Sequence, residues 1–408
     1  MGFLGKSKKL RVGVLFGGRS GEHEISLLSA ASVLNAINQD KYEVVPIGIT
    51  KDGLWVTAGH AEALLQGKHA ARSLRAGDPE ATSSAAILAQ GSAVVIPPVP
   101  ARNASGSMLP FQTDAREMSR RWSEHSISDH SIQVDVIFPV LHGTFGEDGT
   151  IQGLLELADI AYVGAGVLGS ACGMDKHIMK ELFRAAGLPQ VKHVTILRGD
   201  WESAPAKARR LIESKLPYPV FVKPANLGSS VGISKVRNRG ELAAAMQEAA
   251  SYDRKIVVEQ GVGGKKRKAR EIECSVLGND KPIASVPGEI VPSTEFYDYS
   301  AKYLDEGSQL IIPAELSRAQ TRQIQELAIA AFRAVDCSGL ARVDFLMDPA
   351  RQKFYVNEIN TMPGFTAISM YPKLWAASGL AYPELIDRLI QLGVERHQEK
   401  KKNRYSRK

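Results

Sequence analysis

Apolar positions along the chain follow two rhythms. Leu10–Phe16 is a short apolar run that ends at Gly17-Gly18, the mark of a buried strand entering a tight turn. Leu27, Ala30, Ala31, Leu34 and Ile37 then recur at helical spacing, and Tyr42–Ile49 is a second strand. Strand, glycine turn, helix, strand predicts a right-handed parallel α/β unit. Regular structure resumes with a strand at Val134–Leu141, a helix over Thr150–Leu157 and a short strand near Ala161–Val163. Residues 75–131 between them are rich in Ser, Ala, Gly and Pro and lack clear periodicity, so they read as a surface insertion.

Beyond Gly164 the pattern changes. Lys176–Ala186 is helical and stops at Gly187 and Pro189. Strands are expected at Val194–Leu197, Val220–Lys223, Ile233–Val236 and Ile256–Glu259, with helices over 203–215 and 240–250, giving a small α+β unit. From residue 260 come strand-like runs at 272–277 and 282–291, a polar aromatic loop at 293–309, and a helix over 317–335. Strands at 340–347 and 353–359 and an amphipathic helix over 383–395 follow. The expected boundaries are 1–164, 165–259 and 260–396, followed by a tail at 397–408.

Composition narrows the class. A chain of 408 residues at roughly 100–200 per domain holds two or three domains. No stretch approaches the ~20 apolar residues of a membrane span, and the N-terminus shows no signal-peptide pattern, so a cytoplasmic location is expected. Cys172, Cys274 and Cys337 are too scattered for a disulfide framework or a metal cluster, and read as buried thiols. The net charge is +7, but residues 396–408 carry seven Lys/Arg against one Glu, so +6 sits there. That run is expected to be a frayed, solvated tail rather than a nucleic-acid face. A second basic run, Lys265 to Lys268 with Arg270, reads as a loop insertion.

Four segments carry chemistry. Gly17 to Glu24 (GGRSGEHE) places a glycine turn and a helix start where an anionic group can meet backbone N–H groups, with Glu22 either capping the helix or meeting an amine. It is neither a G-x-G-x-x-G fingerprint nor a P-loop, which excludes a nicotinamide-dependent dehydrogenase. Leu141 to Gly149 (LHGTFGEDG) follows a strand, and the strand's C-terminal end aims His142 at a ligand crevice. Lys223 to Gly232 (KPANLGSSVG) ends a strand in Lys and continues into a loop able to fold over phosphates. Arg342-Val343-Asp344 and Asn357-Glu358-Ile359-Asn360 alternate so that Arg342 and Asp344 share one strand face, and Glu358 and Asn360 another. Oxygen ligands of that kind suit Mg²⁺ shared with substrate phosphates.

In order, GGRSGEHEIS, HGTFGEDG, MDK at 174–176, KPANLGSSVG, YDYSAKY, ARVDF and NEINTMPG resemble the D-alanine–D-alanine ligases of the ATP-grasp superfamily from about residue 10 to 395. The resemblance implies three domains: an N-terminal parallel α/β domain and two α+β ATP-grasp domains that grip ATP. It implies ATP contacts from Lys176, Lys223, Ser230, Glu259, Val262, Glu271 and Lys302, with Glu259 on the adenine side and Glu271 on the ribose. Asp344, Glu358 and Asn360 would bind two Mg²⁺, with Mn²⁺ able to substitute. Glu22, His142 and Ser369 would hold the two D-alanines. Ser229 and Tyr303 would form a hydrogen-bonded triad with Glu22, and Arg342 and the Gly364 N–H would stabilise the tetrahedral oxyanion. It also implies a homodimer; from the charge and hydropathy pattern no nucleic-acid partner and no membrane span are expected. D-alanine–D-lactate and D-alanine–D-serine ligases share the ATP site and differ at the second subsite.

Overall fold

A computed structural model describes residues 9–57, 92–98, 106–110, 132–264, 267–292, 308–366 and 368–406. The parallel unit forms as expected from β1 (Leu10–Gly17), α1 (His23–Ala36) and β2 (Tyr42–Ile49). Next come β3 (Trp55–Thr57), β4 (Ser92–Val95), β5 (Gly106–Pro110), β6 (Ile132–Val134), β7 (Val136–Val140), α2 (Thr150–Leu157) and β8 (Ala161–Tyr162). They form one sheet in the order β6-β5-β4-β3-β2-β1-β7-β8. Strands β2, β1, β7 and β8 are parallel and the other neighbours antiparallel. The stretch 75–131 is therefore not simply a surface insertion. Its described pieces, β4 and β5, extend the sheet, and Val94 and Ile96 are buried against Leu15 and Ile47. Weak periodicity concealed this because each strand is only a few residues long.

The second unit holds α3 (Val167–Met174), α4 (Lys176–Ala185), β9 (His193–Leu197), α5 (Arg198–Ser203), α6 (Pro205–Lys215), β10 (Val220–Pro224), β11 (Ser234–Val236), α7 (Arg239–Tyr252) and β12 (Lys255–Gln260). Its antiparallel sheet runs β11-β10-β12-β9. Within the basic run, β13 (Gly263–Gly264) and β14 (Arg267–Lys268) pair as a ribbon rather than a loop, while Lys265 and Lys266 lie outside the described residues. The third unit holds β15 (Arg270–Gly278), β16 (Ile283–Ala284), β17 (Gly288–Val291), β18 (Gln309–Ile311), α8 (Arg318–Ala334), β19 (Gly339–Asp348), β20 (Lys353–Asn360), α9 (Met370–Ala377) and α10 (Tyr382–Lys400). Its sheet runs β18-β17-β15-β19-β20, with β16 on β15.

The cores do not follow the three units. Side chains of β1, α1 and β7 (Val14, Leu34, Phe138) pack in one cluster with Phe365, Tyr371, Trp375 and Leu389 from the C-terminal end. Phe138 and Phe365 meet edge to face at 5.7 Å. Burying one such ring is worth about 1.5–3 kcal/mol, so the first and last units are welded together. Met179 and Phe183 of α4 pack under β15, β19 and α8. The strands β9, β10 and β12 enclose a separate core with α6 and α7.

The tail is solvated only in part. Helix α10 continues to Lys400, past the expected stop at 395, and Arg396, His397, Lys400 and Lys401 reach α2 and β8, while 402–406 stay exposed as expected. The Arg396 guanidinium lies over the Tyr162 ring at 4.1 Å and donates to its backbone carbonyl at 3.2 Å. Lys400 pairs with Glu156, and His397 and Lys401 with Asp159 at 3.4 and 3.6 Å. The acidic partners sit more than two hundred residues away in sequence, so composition alone gave no sign of them. Burial pushes the Cys274 thiol up to about 12 and raises that of Cys337, as expected of structural thiols, whereas Cys172 is only half-buried, against expectation.

Candidate active site

The C-terminal ends of β1 and β7 lie side by side, because parallel pairing sets Phe16 against Val140. Their following loops converge there. Glu22 stands at the N-cap position of α1, yet its side chain makes no cap hydrogen bond. It accepts instead from the Ser229 hydroxyl, 207 residues away in the loop after β10. Gly143, at φ +74°, lets the carboxylate approach: a Cβ there would stand 2.7 Å from a Glu22 oxygen. Ser229 and Ser230 themselves adopt φ of +49° and +60°. For non-glycine residues this costs about 1–3 kcal/mol each, and it persists where surroundings over-determine it.

His142 is buried beside this carboxylate. Its Nε2 lies 3.1 Å from the Ser29 hydroxyl, its Nδ1 3.2 Å from the Met362 carbonyl and 3.8 Å from Glu147. Burial disfavours the imidazolium, but Glu147, Glu22 and the Met362 carbonyl outweigh it and raise the His142 pKa. The loop after β20 brings Gly364 and Ser369 together. A Cβ on Gly364 would be 2.9 Å from the Ser369 hydroxyl, which contacts the Thr366 hydroxyl at 2.7 Å.

The second half of the site is built by sheet register. Strands β19 and β20 pair Asp344 with Glu358 and Arg342 with Asn360, so all four side chains share one face. The opposite face carries Val343, Phe345, Val356 and Ile359 into the core. Arg342 grips Asp344 with two hydrogen bonds of 2.7 Å and stands 3.0 Å from Glu273. Burial opposes its charge, but Asp344, Glu273 and Glu358 raise its pKa well above the ordinary value.

Lys176 joins the two halves. Its Nζ donates to the Leu227 carbonyl at 2.8 Å and lies 3.7 Å from Glu358. Asp175 caps α4 just before it, accepting from the N–H groups of His177 and Ile178, and also takes Asn226 at 3.2 Å and Lys255. Burial opposes the Asp175 charge, but Lys255, the Ile178 N–H and Asn226 outweigh it and hold the carboxyl below its usual range. One carboxylate thus fixes both Lys176 and the root of the loop that carries Ser229.

Family models described as D-ala D-ala ligase N-terminus and D-ala D-ala ligase C-terminus match residues 11–165 and 182–391. The chain belongs to the D-alanine–D-alanine ligase family. It is 49% identical over 395 residues to a D-alanine–D-alanine ligase of Heliobacterium modesticaldum, covering 97% of each chain. It is 47% identical over 398 residues to that of Bacillus cytotoxicus, covering 98% and 99%. Among solved structures, the D-alanine–D-alanine ligase of Coxiella burnetii superposes with a TM-score of 0.76 at 38% identity over 97% of each chain. A D-Ala:D-Ser ligase of Enterococcus faecalis reaches 0.76 at 35% identity over 95% of this chain and all of that one.

The fold gathers the candidate residues into two neighbouring groups. Glu22, His142, Ser229, Gly364 and Ser369 line one end, and Lys176, Arg342, Asp344, Glu358 and Asn360 the other. Glu271 lies two residues before Glu273 on β15, and its charge helps raise the pKa of Lys223. Ser230 occupies the loop after β10, and Val262 sits half-buried in the turn after β12. Lys302 and Tyr303 lie outside the described residues. The Glu259 carboxylate turns inward: it pairs with Lys223 at 2.7 Å and Lys180 at 2.9 Å. Burial alone would push this carboxyl up, but the two lysines hold it far below the usual carboxylate range.

Lys180, Lys255 and Glu273 escaped the sequence reading. Lys180 was visible only as the residue one turn after Lys176, and the others carried no motif. Among the described residues, no group of three or more His, Cys, Asp or Glu clusters to hold a metal by itself. Two carboxylates and an amide in register do fit a hard, oxygen-seeking ion that also takes phosphate and water ligands.

Proposed function

We propose that this ligase joins two D-alanines into D-alanyl-D-alanine with ATP, through a D-alanyl phosphate, for peptidoglycan precursor synthesis. The observation that carries this is the continuous connection from Glu22 through Ser229 and the Leu227 carbonyl to Lys176 and Glu358. It sets an amino-acid pocket beside a phosphate and cation face.

A carboxylate is a poor electrophile at neutral pH. Its oxygen attacks the γ-phosphorus of ATP, the bond to ADP breaks, and phosphate becomes a leaving group. The amine of the second D-alanine, having lost a proton, attacks the acyl carbon. The tetrahedral species then collapses with loss of inorganic phosphate. Glu22 meets the first ammonium, with His142 in the same subsite. Lys176 and Lys223, joined by Lys302, offset charge on the moving phosphoryl group. Arg342 and the Gly364 N–H face the developing oxyanion, and Ser369 meets the second carboxylate. Asp344, Glu358 and Asn360 would hold two Mg²⁺, with Mn²⁺ as substitute, which supply positive charge across the phosphates when bound. Val262 serves the adenine end and Glu271 the ribose, while Glu259, assigned to the adenine side by resemblance, has its carboxylate engaged with Lys180 and Lys223. An acyl phosphate must be kept from water, and our candidate for a closing loop is the 293–309 segment with Tyr303, of which 293–307 lie outside the described residues. We take the enzyme to be a cytoplasmic homodimer. Among the described residues, no helix is long and apolar enough to cross a membrane.

The test is phosphate release from ATP and Mg²⁺ with D-alanine, with product identified by mass, and with L-alanine, D-lactate or D-serine added in parallel. Release that needs only D-alanine and yields the dipeptide is expected. A depsipeptide or D-Ala-D-Ser as main product would overturn the assignment of the second subsite, and no D-alanine-dependent release would overturn the reaction.

A further inference from the structure

Helix α1 buries two serines on one face, Ser26 and Ser29, both fully shielded from solvent. Ser26 stays within the first unit, accepting from the Gly17 N–H at 2.7 Å and donating to the Val140 carbonyl. Ser29 reaches out of it. Its hydroxyl accepts from the Phe365 N–H at 3.3 Å and contacts His142 Nε2 at 3.1 Å. His142 Nδ1 faces the Met362 carbonyl at 3.2 Å.

The donors and acceptors order themselves. A carbonyl only accepts, so Nδ1 carries the proton toward Met362. In the neutral imidazole Nε2 accepts the Ser29 O–H, and in the imidazolium Nε2 donates to the Ser29 oxygen, so the contact stands in either form. One lone pair of the same oxygen takes the Phe365 N–H. The pair Ser29–His142 therefore holds the carbonyl at one end of the arch Met362–Phe365 and the N–H at the other, with Gly364 between them.

We propose that Ser29 is a positioning residue: together with His142 it clamps this arch and so fixes the Gly364 N–H and the neighbouring Ser369 against the reacting acyl group. The inference rests on the ligase reading given above. The clamp crosses from the first unit to the last, and the shared core around Phe365 supplies the stiffness that lets one hydroxyl set a backbone donor. An oxyanion donor displaced by a fraction of an ångström slows aminolysis of the acyl phosphate more than its formation. The intermediate then lasts longer and is lost to water.

The experiment compares Ser29→Ala with Ser32→Ala in the full-length protein. Ser32 lies on the same helix but only bonds back to the Leu28 carbonyl. Hydrogen exchange of the peptide 360–369 is read first, without reference to activity. Ser29→Ala should speed exchange of the Phe365 amide about tenfold, while Ser32→Ala should match wild type. Turnover is read next. In Ser29→Ala the ratio of phosphate released to dipeptide formed should rise above one, with kcat for dipeptide down about tenfold and KM for ATP unchanged. The thermal midpoint confirms that both variants are folded. Unchanged exchange in Ser29→Ala would overturn the clamp. Faster exchange with the ratio still at one would overturn its bearing on transfer. Wild-type protein that makes no dipeptide would instead refute the ligase reading, and the exchange comparison would still decide the clamp.

Discussion

Glu259→Gln tests a buried charge triad. Glu259 is 2% exposed and Lys180 0% exposed, and each depends on the other for neutralisation. Lys223 takes the second carboxylate oxygen at 2.7 Å. Glutamine keeps the shape but leaves two ammonium groups without that countercharge. Removing one partner of a buried pair costs about 3–5 kcal/mol. At roughly 2–4 °C per kcal/mol for a unit of 150–250 residues, the thermal midpoint should fall on the order of 10 °C. The pH dependence carries the diagnostic sign. Wild-type Glu259 has a lowered pKa, so its contribution is present above the unfolded value of 4.5 and lost as pH falls through the folded one. The variant lacks that acid limb. Lys180, already lowered by burial, falls further without Glu259. The unfolded chain then binds more protons than the folded one below the ordinary lysine value of 10.5. The variant's stability therefore rises with pH, and its deficit should shrink between pH 7 and 9.5. Adding Lys180→Met should recover part of the loss at pH 7. Thermal unfolding followed by circular dichroism at both pH values reads all of this. A Glu259→Gln variant within 1 kcal/mol of wild type, with a deficit independent of pH, would refute the buried-triad account.

Three other outcomes are expected. Asp344→Asn should abolish Mg²⁺-dependent phosphate release while the circular dichroism spectrum stays that of wild type; turnover at the wild-type rate would remove Asp344 from the cation face. Tyr303→Phe should raise ATP hydrolysis relative to dipeptide, read as phosphate per dipeptide, and an unchanged ratio would count against closure by that loop. Arg396→Ala loses the stack on Tyr162 and a carbonyl hydrogen bond, together about 1–3 kcal/mol. Lys402→Ala, which loses only an exposed pair with Glu399, should leave the thermal midpoint unmoved.

The sequence by itself determined the local elements and the chemistry at their ends. The alternation in β19 and β20 already placed Arg342 with Asp344 and Glu358 with Asn360, because the period of a strand is fixed by its backbone. The glycine turn after β1 and the Lys223 loop were legible for the same reason: turns have few chemical solutions. Only the tertiary structure decided which of these ends meet. Glu22 could cap its own helix or meet an amine on sequence alone; in the fold it makes no cap hydrogen bond and accepts from Ser229 instead. The start of the basic tail proved to rest on Glu156, Asp159 and Tyr162, while 402–406 stay solvated. Glu259 proved to be the counter-ion of Lys180 and Lys223, and Ser29 the strut of a distant arch. Periodicity is local and survives in the sequence. The pairing of buried charges and hydroxyls depends on the packing of segments hundreds of residues apart, and one chain read by itself carries no record of those distances.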